Sequence, residues 1–307
     1  MRRSPGLAFT AGAMGIVALL AIRLLAFHVN RVALIDRKVF DGFYDLHTSR
    51  IGGFADAFPH LSDPQPFVVF AVIMLAVALA RGRPRLAVAV GAVLVGSNLT
   101  THLLKPALAV HRFSGASKGV DAASWPSGHA TASMALALCA IMVAPRWLRP
   151  LVAALGAVFS IAVCLTLLVD GWHFPSDVVA GYTMSATWTA FAVAAVWWLE
   201  DRRPSEAAPR ALSLTATVAP ALVVAISGVA LFVLVTLARP REVVDYVHTH
   251  KAFAVGAGVI AALGLSLTTA LSAALTSLRP SRSRGPTPDA SPAPTAARRR
   301  DWPPAPR

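Results

Sequence analysis

Eight apolar runs set the limits on what this chain can fold into. Residues 7–27, 66–80, 86–104, 128–145, 151–169, 177–199, 212–237 and 252–277 are almost free of charge. Each is near the roughly 20 residues that a helix needs to cross the hydrocarbon of a bilayer. Unpaired backbone groups are so costly there that only helices and closed barrels span it. Unbroken apolar runs fit helices, because barrel strands alternate apolar and polar residues. The expected fold class is therefore all-α, a polytopic transmembrane helical bundle. Composition agrees: 56% of residues are hydrophobic, only 14% are charged, and the mean hydropathy is +0.61, which excludes an ordinary soluble domain.

The first run follows Met1-Arg2-Arg3. It is long for a cleaved signal and lacks a small-x-small site before His28, so it reads as a retained helix. Arg23 near its end is expected to snorkel to the interface. Segment 28–65 reads as an outer loop. Phe40, Phe43, Tyr44 and Leu46 among Asp41, Asp45 and His47 predict a helix lying at the membrane surface. Cys139 and Cys164 both fall within apolar runs and read as small packing residues.

The net charge of +13 is no sign of nucleic-acid binding, because much of it lies in short loops and a terminal tail. With the N-terminus inside, eight alternating spans leave 17 basic and 5 acidic residues on the inner side, against 10 and 10 outside. The positive-inside rule favours that orientation, with both termini cytoplasmic in a cell membrane. Four parts are expected: a six-span core over 1–200, a cytoplasmic linker over 201–211, a two-span extension over 212–277, and a disordered basic tail over 278–307. Arg298, Arg299 and Arg300 in that tail can meet anionic lipid, but a solvated tail with no specific partner is the favoured reading. Oligomeric state is not legible.

The same orientation gathers Lys105, Arg112, His129, His173 and Asp177 near the outer face. Ionisable residues at membrane depth are commonly functional. Lys105 ends the third span and Arg112 follows after a short turn, so both can aim at one anion or serve as interfacial anchors. Pro126-Ser127-Gly128-His129 opens the fourth span. Free amides at a helix N-terminus bind anions, Gly128 permits close backbone approach, Ser127 adds a hydroxyl, and His129 can give a proton to a leaving oxygen. A plain helix cap with an interfacial histidine has the same sequence. His173 and Asp177 bracket Pro175 at the start of the sixth span. At a spacing of four, the carboxylate can hold one ring nitrogen and leave the other as nucleophile.

Taken together, these motifs resemble the type 2 phosphatidic acid phosphatase (PAP2) superfamily over roughly residues 60–200. Lys105 and Arg112 match a Lys-x6-Arg-Pro element, with Phe113 in place of the proline. Pro126 to His129 match Pro-Ser-Gly-His without change. His173 and Asp177 match the second half of Ser-Arg-x5-His-x3-Asp, while Thr166-Leu167 stand where Ser-Arg belongs. The resemblance implies a six-helix core, here followed by two additional C-terminal transmembrane helices. It also implies hydrolysis of a lipid phosphomonoester or diphosphate in the bilayer without metal or cofactor. His173 would be the nucleophile, Asp177 its orienter and His129 the acid. Lys105, Arg112, Ser127 and the Gly128 amide would bind the substrate phosphate. Leu167 replaces one of three expected cations, and His111, Lys118 and Arg50 are possible stand-ins. Transfer of the phosphate to another acceptor, and lipid binding without catalysis, are the alternatives.

Overall fold

The computed structural model describes residues 4–47, 58–112, 120–202, 214–238 and 240–277. The stretches holding Arg50 and Lys118 lie outside them, as do most of the expected linker and the whole tail. Ten α-helices and no strands occur among the described residues. They are α1 (Pro5–His28), α2 (Asn30–Tyr44), α3 (Pro64–Ala80), α4 (Pro84–Ala107), α5 (Gly128–Val143), α6 (Arg149–Val169), α7 (Pro175–Asp201), α8 (Leu214–Ala238), α9 (Pro240–Thr249) and α10 (Lys251–Ser277). A short 3-10 turn, Pro59–Ser62, precedes α3.

Every expected span has a helix, and five of them (α1, α4, α6, α7 and α10) are long and apolar enough to cross a membrane. Shorter apolar stretches lie in α3, α5 and α8. At 16 residues α5 is the shortest of the eight helices that carry apolar runs. It covers about 24 Å at 1.5 Å per residue, less than the ~30 Å hydrocarbon. At least one of its ends therefore stops below the membrane surface.

α5 is the central helix, buried over nearly its whole length. It packs against α4, α6 and α7, and α7 packs along α1. Apolar burial drives none of this inside lipid, so close packing and interhelical hydrogen bonds carry the association. Thr101 of α4 and Thr131 of α5 meet through their hydroxyls at 3.1 Å, and Ser185 of α7 donates to the Thr131 carbonyl at 2.7 Å. At the opposite end of the bundle, arginines satisfy the last carbonyls of helices, groups that have no intrahelical partner. Arg81 donates to Val143, Arg149 to Leu275 and Arg146 to Thr276.

Two findings bear on the site. The amphipathic helix expected near residue 40 is α2, and its buried face is Asp36, Val39, Phe40 and Phe43, a helical stripe at i, i+3, i+4 and i+7. That face packs on protein, against α1, α6, α7 and α10. The C-terminal helix α10 is docked on the bundle as well, along α6 and against α2.

Candidate active site

The loop that carries His173 is shaped by the end of α6. Gly171 adopts φ +73°, which closes a Schellman turn: the Gly171 amide donates to Leu168 and the Trp172 amide to Leu167. A side chain on Gly171 would also meet the ring of Tyr44 at 2.6 Å, so α2 seats directly on this turn. Leu167 itself is fully buried.

α7 then starts at Pro175, with Asp177 in its first turn. The Asp177 carboxylate is fully buried and makes three contacts. Oδ2 accepts from the Phe174 amide at 3.0 Å, the carboxylate half of a capping box. The same oxygen lies 3.5 Å from His173 Nδ1, and Oδ1 is ion-paired with Arg112. The His173 contact is long for a hydrogen bond, as catalytic contacts often are before substrate binds. It leaves Nε2 of His173 as the nitrogen not facing Asp177.

The Pro-Ser-Gly-His segment meets this turn backbone to backbone. Ser127 donates its amide to the Asp177 carbonyl at 3.0 Å. Its hydroxyl caps α5 by accepting from Ala130 at 3.3 Å. Gly181 permits the approach, since a Cβ there would lie 2.8 Å from the Ser127 carbonyl and 2.9 Å from the Thr131 amide. The Trp125–Pro126 peptide leading in is cis. Lys105, on the last turn of α4, faces this N-terminus: its Nζ is 3.8 Å from where a Gly128 side chain would begin. The His129 ring lies 5.7 Å from the ring of Trp172, the residue before His173, tilted at 52°.

Lys105, Arg112, Ser127, Gly128, His129, His173 and Asp177 are thus brought to one end of the bundle. His111, the stand-in cation within the described residues, is exposed.

The structure adds residues with no motif of their own. Asp36 of α2 is 8% exposed and grips the start of α7. It accepts from the Ser176 amide at 2.9 Å and the Ser176 hydroxyl at 2.7 Å, and pairs with Arg112 at 2.6 Å. Arg112 therefore lies between two carboxylates. Burial pushes the Asp36 carboxyl up to about 6, against the opposing pull of Arg112. Asp63, just before α3, binds His129 Nε2 at 3.0 Å and His60 Nδ1 at 2.7 Å. These bonds, His60's above all, hold its carboxyl below the ordinary value. Among the described residues no group of His, Cys, Asp and Glu is disposed to hold a metal ion.

An apolar crevice of about 520 Å³ runs beside this end of the bundle, between α1, α2, α7 and α10. Asp36, Ser176 and Lys251 are its polar lining; Ile22, Val39, Val255 and Val259 are among its walls.

A family model described as the PAP2 superfamily matches residues 67–201, the span that carries all three motif segments. The crystal structure of a transmembrane PAP2-type phosphatidylglycerolphosphate phosphatase from Bacillus subtilis has the same fold, with a TM-score of 0.50 at 18% identity. The match covers 63% of this chain and 98% of that one. No curated protein sequence matches significantly. The matched segment holds five of the eight apolar helices, α3 to α7, in part or whole, and Asp36 and Asp63 lie outside it.

Proposed function

We propose that this chain is a lipid phosphate phosphatase, cleaving a phosphomonoester or diphosphate of a membrane lipid at the extracytoplasmic face. The observation that carries the reading is the buried Arg112–Asp177–His173 linkage set against the N-terminus of α5, where His129 stands. A phosphate there would be held by Lys105, Arg112, the Ser127 hydroxyl and the Gly128 amide of the first helical turn, where amides lack intrahelical acceptors.

In the first step His173 Nε2 attacks phosphorus. A P–N bond forms as the P–O bond to the lipid breaks, and the leaving oxygen takes a proton from His129. Asp177 fixes the ring and stabilises its developing charge; Asp63 orients His129 and favours its protonated form before the transfer. In the second step His129 takes a proton from water, the oxygen attacks phosphorus, the P–N bond breaks, and inorganic phosphate leaves. No step requires a metal ion or cofactor. The apolar crevice beside Asp36 and Ser176 is suited to an alkyl or prenyl chain entering from the bilayer. The arginine distribution supports the outward orientation.

The test is release of inorganic phosphate from lipid phosphates by the purified chain in metal-chelating buffer. Acid-labile labelled phosphate on the protein, absent in His173→Ala, is the expected intermediate. Unchanged turnover in His173→Ala would overturn the mechanism. Label appearing on an added alcohol in place of water would make the protein a phosphotransferase.

A further inference from the structure

The guanidinium of Arg23 in α1 lies over Phe27, 3.3 Å from the ring centre, with the Trp125 ring at 5.5 Å. Nη2 donates to the Leu108 carbonyl at 3.0 Å, just past Lys105. Nη1 is buried and has no hydrogen-bond partner among the described residues. The same is true of Nε1 of Trp125, a residue only 4% exposed and immediately before Pro126. Arg112 rests on the same Phe27 ring, 4.1 Å from its centre. The two guanidiniums are therefore neighbours across one phenyl group.

This arrangement is costly as it stands. Among the described residues Arg23 has no carboxylate at ion-pair distance, whereas Arg112 has two. Arg23 is only partly buried, but a cation drawn out of water without a counter-ion is unfavourable, more so beside a like charge. Aromatic faces offset part of this, but they leave Nη1 without an acceptor. Two orphaned donors therefore flank the segments that carry Lys105, Arg112 and Ser127-Gly128, and both call for an acceptor that the described residues do not supply.

We propose that Arg23 is a phosphate-binding residue: its free Nη1 takes an oxygen of the substrate phosphate, so that α1 supplies the third cation and Leu167 need not. Trp125 Nε1 is the second donor on that wall. The inference rests on the phosphatase reading and adds to it a residue outside every motif of the sequence. A planar guanidinium already fixed by Phe27 and Leu108 binds an oxyanion with little loss of freedom.

The test uses the full chain in detergent micelles with inorganic phosphate as the probe, read as competitive inhibition of turnover and as thermal protection without substrate. Arg23→Gln should raise the phosphate inhibition constant and KM about 10- to 100-fold, the range for loss of a charge-assisted hydrogen bond. Arg23→Lys keeps the charge but loses the fork, and should weaken phosphate several-fold; it decides the matter if the Gln variant does not fold. Phosphate binding unchanged in the folded variants would overturn the assignment while turnover by the unaltered chain keeps the phosphatase reading. If the unaltered chain neither releases phosphate nor is protected by it, both fail. His173→Ala should lose turnover and keep phosphate protection, which separates the binding residues from the nucleophile.

Discussion

His129 and Asp63 are joined by a 3.0 Å contact between Nε2 and a carboxylate oxygen, which ties the start of α5 to the start of α3. A carboxylate in that position favours the charged imidazole that a proton donor requires. In Asp63→Asn the alkaline limb of the rate profile should move to lower pH, with kcat falling more than KM rises. A pH–rate profile of the variant beside the unaltered chain checks this. Asp63's own folded value is lowered. Its contribution to stability is therefore present above its unfolded value, about 3.9, and is lost as pH falls through the folded one.

Asp36 has the opposite sign. Its folded value of about 6 exceeds the unfolded one of about 3.9. Over that interval the folded chain binds the extra proton, so this group makes stability fall as pH rises from about 4 to 6 and level off above. Asp36→Ala should flatten that slope. It should also cost about 3 kcal/mol at neutral pH, because it strips a buried charge from Arg112. Thermal unfolding in detergent across pH measures both.

Asp177→Asn should keep the fold and lose most of the rate. An amide cannot hold His173 in the same tautomer or balance Arg112, and a comparable change in a hydrolytic triad costs about 10⁴ in kcat. Phosphate release and phosphoenzyme labelling should fall together; near-normal labelling would show that Asp177 does not act on His173.

Gly181→Ala tests the packing that seats the site. The added methyl would press on the Ser127 carbonyl and the Thr131 amide, both backbone, so α5 and α7 must separate. Overpacking of this kind costs about 1–3 kcal/mol. Activity should drop further than stability, because Ser127 is bound to Asp177 at this crossing.

Val259→Trp tests the crevice. Val259 is half exposed, so the change should leave folding intact. KM should rise for long-chain lipid phosphates and stay unchanged for short-chain ones; equal effects on both would remove the crevice as the seat of the chain.

Much of the bundle was legible because lipid imposes one requirement on every spanning residue: all eight apolar runs became helices. The motif residues were legible because each group is local, with His173 and Asp177 one helical turn apart. Asp36 and Asp63 were not, since their partners lie far along the chain and a lone carboxylate carries no pattern. Residues 28–65 were read as a loop with a surface helix, and the helix is there, but which of its faces turns inward depends on α7 and α10. The contacts of Arg23 with Phe27 and Leu108 were not legible either, because sequence alone does not say which side of an apolar helix meets protein.

The PAP2 family model matches only residues 67–201. Cut to that length, the chain would retain every motif yet lose Arg23, the Phe27 ring beneath Arg112, the Asp36 that steadies Arg112, and the Asp63 that holds His129. The matched stretch is smaller than the stretch that assembles the site. The first sixty-six residues are thus the place where a relative with the same motifs can differ most in what it does with a phosphate.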